Sequence, residues 1–198
     1  MSSENVDAPE RAPTVILFAE TRGFTRMSEM LDPAVALARV SEFFQLVSAA
    51  VEQHEGVVLH LLNDTVMATF TGADDAPHAV DAARQIQREF APLAERWQSE
   101  FGLKAAVAMG LHSGEAVLGY TGGALADRLL VLGDCVSVAE RLLHRARSGE
   151  FVLSEGVMEV LRASGYDLEP EPLPPLEMAR REPIHLFGVL LDTRLDFT

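Results

Sequence analysis

Two carboxylates stand where this chain could present them to a cation. Glu20 closes the apolar run Val15 to Ala19 and is followed by a turn through Gly23. A short apolar run bounded by turn signals reads as a buried strand, and the acid at its end sits where the backbone leaves the core. Asp64 ends a second such element: Val57 to Leu62, then Asn63-Asp64, then Thr65 to Phe70. Two residues between two strands make a β-hairpin, with Asn-Asp as its tip. If the first strand lies beside that hairpin, Glu20 and Asp64 share one edge of one sheet, and paired oxygen ligands there fit a hard cation such as Mg²⁺. The same placement also fits two ordinary solvated strand-end acids.

The elements that must position these acids can be read in order. Residues 1–12 are polar and of mixed charge and read as a flexible tail, 13–190 as one domain, and 191–198 as a second tail. After the first strand comes a turn from Gly23 to Ser28. Asp32-Pro33 then supplies an N-cap and a Pro at the first helical position. Val40, Phe43, Phe44, Val47 and Val51 recur at helical spacing until Gly56. The Asp64 hairpin follows, and a second helix begins near Asp74, with Pro92 inside its apolar stripe predicting a kink or an early break. Leu103 to Leu111 reads as a strand that Gly114-Glu115 turns back into Ala116 to Gly119. The order is strand, helix, strand, strand, helix, strand. It predicts an α+β fold with a ferredoxin-like βαββαβ core, a mostly antiparallel sheet with helices on one face.

Extra α/β elements complete the C-terminal part. Tyr120 to Ala126 reads as a flexible excursion, Leu129 to Leu132 as a short strand, and Gly133-Asp134 as the opening of a third helix. Phe151 to Leu153 makes another strand, Ser154 caps a last helix, and Glu169 to Pro175, with four prolines in seven residues, reads as an extended connector. Ile184 to Leu190 is expected at the sheet edge.

Composition excludes several classes of function. With 48% apolar residues, the chain is a folded globular protein. A net charge of −14 argues against nucleic acid or an anionic membrane as a partner. No basic-flanked apolar leader is evident and no window reads as a membrane span. The lone Cys135 cannot form an internal disulfide, in keeping with a reducing cytoplasm. Six scattered His residues give no zinc-ligand spacing.

Four stretches in order, FAETRGFT, LLNDTVMATF, GLHSGEAVLGYTGG and VLGDCVSVAERL, resemble the catalytic domain of class III adenylate/guanylate cyclases. The resemblance runs from about Thr14 to about Val189. It implies a nucleoside triphosphate substrate, a 3′,5′-cyclic nucleotide and pyrophosphate as products, and a head-to-tail dimer with composite sites. In such a site one subunit supplies two carboxylates for two divalent ions, Mg²⁺ or Mn²⁺. By motif these are Glu20 and Asp64, although the family has Asp at the first position. The extra methylene of Glu20 moves its carboxylate by about one C–C bond, and Mg²⁺ demands near-ideal geometry.

The other subunit would supply the base reader, a ribose-orienting Asn and a transition-state Arg. The base-reading Lys matches His60, and its purine-reading partner matches Leu130, which can neither donate nor accept a hydrogen bond. The Asn matches Ser137, which lacks the amide donors. Arg141 is retained one helical turn later, on the same side. A phosphate-binding Lys would fall near Met178, with Arg180 or Arg181 as substitutes. Each position has a plainer role: His60 as a satisfied interior histidine, Ser137 as a small packing residue, Arg141 as a solvated side chain.

The resemblance with four departures reads as a degenerate cyclase homology domain, a pseudoenzyme acting as a homodimeric signalling module in the cytoplasm. An active cyclase, or the metal-donating half of a heterodimer with another cyclase chain, is the alternative.

Overall fold

A computed structural model describes residues 9–120, 129–179 and 181–190. The first strand, β1 (Glu10–Arg22), is the axis of the sheet: it pairs antiparallel with β3 (Thr65–Thr71) on one side and with β4 (Ala106–Tyr120) on the other. Its alternate side chains serve two cores. Val15, Leu17 and Ala19 are buried on one face, and Ile16 and Phe18 on the other, so a strand buried on both sides reads as a continuous apolar run. Glu10, Arg11 and Ala12 pair with Leu118, Val117 and Ala116. These residues, expected to close the polar tail, are therefore part of β1, because the long partner strand offers them hydrogen bonds that outweigh their polarity.

The eight-stranded sheet runs β2-β3-β1-β4-β6-β8-β7, with β5 (Leu129–Leu132) paired to the far end of β4. The remaining strands are β2 (Val57–Leu62), β6 (Glu150–Ser154), β7 (Glu171–Leu176) and β8 (Ile184–Leu190). Every pairing is antiparallel except that of β4 with β6. Helices α2 (Pro33–Gln53), α3 (Asp75–Phe101) and α5 (Glu155–Ala163) pack on the face of Val15 and Leu17. The two core helices thus share one face as expected, but α4 (Asp134–Arg145) covers the opposite one, over Ile16, Phe18, Ala108 and Val152.

Several local expectations are corrected. The stretch after Gly23 is a short helix, α1 (Phe24–Met30). Gly23 adopts φ 100°, and a Cβ there would lie 2.5 Å from the Lys104 carbonyl oxygen, so only glycine allows this entry. Pro92 does not break α3, which continues to Phe101. Pro92 faces solvent, where the carbonyl it strands can bond water, while Phe90 and Trp97 stack edge-to-face at 5.6 Å on the buried side and hold the helix in place.

Gly114-Glu115 makes no turn, because β4 runs unbroken from Ala106 to Tyr120. A Cβ at Gly114 would stand 2.9 Å from that of Cys135, so this glycine admits α4 rather than a bend. The proline-rich connector is itself strand β7 at the edge, where missing N–H groups cost no ladder bond, and β8 is interior. Ser154 precedes α5 without a side-chain cap bond; its hydroxyl pairs instead with His112 Nδ1 at 2.8 Å.

Helix α2 corrects the expectation that no window reads as a membrane span. It has 21 residues and a mean hydropathy of 1.4 over its best window. Its apolarity is explained by the core: Val40, Phe43, Val47, Ala50 and Val51 are buried against the sheet and α3.

Candidate functional site

Glu20 and Asp64 meet as the spacing implied. Glu20 pairs with Thr65, the residue after Asp64, and the Thr21 amide donates to the Asp64 carbonyl oxygen at 3.2 Å. The hairpin turns at Asn63, which takes φ 54°, a conformation Asn tolerates better than most residues. Glu20 keeps 19% of its side-chain surface exposed. The Asp64 carboxyl is pushed above its ordinary range, first by burial and then by the negative charge of Glu20, while Arg22 acts the other way. A carboxylate whose charge is disfavoured by burial and by a neighbouring carboxylate belongs to a donor set that a cation relieves, so the residues fit a hard divalent ion. Among the described residues no group of three or more His, Cys, Asp or Glu is placed to hold a metal. An ion here would complete its shell with water and phosphate oxygens, the usual mode for Mg²⁺.

Arg22 is the part of the site that motif matching passed over. Glu20 and Arg22 share the β1 face of Ile16 and Phe18, which lies under α4. One Arg22 nitrogen is ion-paired with Glu20, and the other donates to the Leu143 and Ala146 carbonyl oxygens at 2.9 and 3.3 Å, at the end of α4. The two-residue spacing on a strand was the signal that these side chains would share a face.

The other candidates lie on separate elements. Ser137 and Arg141 both occupy the exposed face of α4, one turn apart, as their spacing implied, so Ser137 is not an interior packing residue. Arg141 makes no ion pair among the described residues. His60 is exposed on β2, opposite Met67, which corrects its reading as an interior histidine; a bulge between Val58 and His60 sets which way it faces. Leu130 lies on β5, opposite Gly119, and is 48% exposed. Met178 is half-buried against the core under α4, a packing role that serves no phosphate. Arg180 lies outside the described residues, as does most of the expected excursion after Tyr120. Arg181 is committed to an ion pair with Asp134.

Distance separates these groups within one chain. Glu20 lies opposite Ala108 near the start of β4, and Leu130 opposite Gly119 near its end. At the rise of a strand, that is about 36 Å along β4, well beyond the span of one nucleotide.

His112, half-buried on the α4 side of β4, belongs to the scaffold. Burial lowers its pKa to about 4, so it stays neutral at physiological pH and can serve as a fixed hydrogen-bond partner of Ser154.

The chain matches the family model described as the adenylate and guanylate cyclase catalytic domain over residues 6–187. It is 28% identical over 165 residues to an adenylate cyclase of Anabaena cylindrica, covering 80% of this chain but 33% of that protein. The chain thus spans about a third of that relative's length. Among solved structures, the adenylyl cyclase CyaB of P. aeruginosa superposes with a TM-score of 0.85 at 20% identity, covering 97% of this chain and 100% of that one. A non-canonical dimeric guanylyl cyclase domain from the aquatic fungus Blastocladiella emersonii superposes with a TM-score of 0.78 at 17% identity, covering 91% of this chain and 98% of that one.

Proposed function

From a chain that belongs to the adenylate and guanylate cyclase catalytic-domain family, we propose a homodimeric regulatory module that takes a divalent cation and a nucleoside triphosphate but forms little or no cyclic product. Leu130 carries this reading. It stands on β5 as an exposed hydrocarbon at the position where purine discrimination needs a hydrogen-bonding group, and unpaired polar edges of a base bind poorly against it. Ser137 beside Arg141 weakens ribose orientation in the same way. Dimerisation is supported by the separation along β4: Glu20 with Asp64 and Leu130 with its neighbours can serve one nucleotide only if two chains contribute. The cytoplasm, where nucleoside triphosphates and Mg²⁺ are plentiful, is the matching location.

A second reading, an active cyclase of altered base preference, is favoured by one observation, the intact juxtaposition of Glu20 and Asp64. When bound, the ions would acidify the 3′-hydroxyl and neutralise the leaving pyrophosphate. The chain's own contribution is to hold two carboxylates at one sheet edge and Arg141 on α4.

The deciding experiment incubates purified chain with ATP, GTP, CTP or UTP and Mg²⁺ or Mn²⁺, beside Asp64→Ala, with binding followed by calorimetry. Metal-dependent nucleotide binding that is lost in Asp64→Ala, with cyclic product at background, is the expected result. Cyclic product that disappears in Asp64→Ala overturns it in favour of the active enzyme.

A further inference from the structure

We infer that Arg22 is a positioning residue that latches Glu20 to the C-terminal end of α4, and that a divalent cation at Glu20 and Asp64 must displace this latch and so loosen α4. The inference rests on the metal-binding reading of Glu20 and Asp64 and adds to it how the site is regulated.

The geometry is that of a clasp. Arg22 spends one end of its guanidinium on Glu20 and the other on two carbonyl oxygens at the end of α4. A helix C-terminus favours a cation, and here the Leu143 carbonyl otherwise shares the Ala146 amide with Leu142 at 3.1 Å, so Arg22 is well suited to that position. Both side chains are largely shielded, with 28% and 19% of their surfaces exposed, which strengthens the pair relative to one in open solvent. Arg22 also acts electrostatically on Asp64, opposing the effect of Glu20. The guanidinium therefore supplies positive charge where an ion would supply it.

A glutamate at position 20 has the reach to fold back on the residue two places along the strand while its carboxylate stays near Asp64. A cation that claims the Glu20 oxygens removes the partner of Arg22 and adds like charge beside it. The guanidinium then moves off, and the Leu143 and Ala146 carbonyl oxygens lose their bonds from Arg22, leaving Leu143 with the Ala146 amide alone. Because α4 bears Ser137 and Arg141 on its outer face, metal at one end of the chain is felt by the helix that, in a composite dimer, would serve the other site.

The test uses the full chain with Mn²⁺ as the only ligand, read by calorimetry and by hydrogen exchange of the amides of residues 142–147. In the parent, Mn²⁺ is expected to raise exchange in that segment. In Arg22→Gln, exchange there is already high and no longer responds to metal, and Mn²⁺ binds at least about tenfold more tightly because a competing cation is gone. Arg22→Lys, which keeps the charge but lacks the fork, restores the parent affinity without restoring the exchange response. Thermal unfolding confirms that each variant folds. Equal or weaker Mn²⁺ affinity in Arg22→Gln, or exchange in the parent that ignores Mn²⁺, overturns the latch alone. Absence of Mn²⁺ binding to the parent and to Arg22→Gln alike overturns the metal reading together with it.

Discussion

Gly110→Ala tests whether α4 is held where Ser137, Arg141 and the Arg22 contact need it. Gly110 sits in β4 directly beneath α4, and a Cβ built on it would lie 2.2 Å from the Leu143 nitrogen and 2.4 Å from the Ala139 oxygen. Both are backbone atoms, so no side chain can rotate out of the way. Reaching an ordinary 3.4 Å contact from 2.2 Å requires α4 to lift by about 1.2 Å at Leu143. That movement takes the 2.9 and 3.3 Å bonds from Arg22 beyond hydrogen-bond range. Overpacking of this kind costs about 1–3 kcal/mol, and the backbone nature of the clash places it at the upper end. Lost bonds to a partly exposed charged donor add about 1 kcal/mol, for a total of about 4 kcal/mol. Urea unfolding gives the number directly, with Gly156→Ala in α5 as the control. There the nearest neighbour of a new Cβ is 3.6 Å away, and alanine is expected to leave stability unchanged or raise it by up to about 1 kcal/mol. A Gly110→Ala variant within about 0.5 kcal/mol of the parent at an unchanged m-value would refute the placement of α4 on β4.

Two further outcomes concern the carboxylates. Asp64 has a folded-state pKa raised above 3.8, so its contribution to stability is fully present below the unfolded value and is lost as pH rises through the folded one. Asp64→Asn is therefore expected to stabilise the metal-free chain at neutral pH by under about 1 kcal/mol, discounted for exposure, with the gain vanishing below about pH 4; a destabilised variant at pH 7 contradicts the burial and the charge conflict with Glu20 that disfavour the ionised Asp64. Glu20→Asp restores the family's residue but leaves Leu130 in place, and cyclic product from ATP or GTP is expected to stay at background; a rise well above it would show that the metal geometry, and not base reading, limits this chain.

The sequence was legible where local chemistry and tertiary structure agree. The Asn63-Asp64 tip, the Asp32-Pro33 helix start and the apolar run of β1 each followed from a turn residue, a cap or a pattern that the fold then used. It misled where a residue type has two uses. Gly114 suggests a turn, as a glycine in a strand pattern does, yet it is small so that Cys135 can approach. The prolines of β7 were read as a connector, since nothing local shows that an edge partner accepts them. Pro92 predicts a kink or an early break, yet the helix continues because its buried side is locked by Phe90 against Phe43 at 5.7 Å, a partner far away in the sequence.

The site shows the same division more sharply. Motif matching named the residues that would touch a nucleotide, and the fold brings two of them, Glu20 and Asp64, to one edge. What motif matching does not contain is competition among those residues when nothing is bound. Two carboxylates placed together destabilise the chain unless a positive charge stands near them, and Arg22 supplies that charge from within the same strand. Carboxylates that already have a guanidinium beside them have less to gain from a cation than carboxylates left bare. Under the proposed latch, Glu20 and Arg22 act as one unit: the longer carboxylate reaches the guanidinium, and the guanidinium reaches the end of α4.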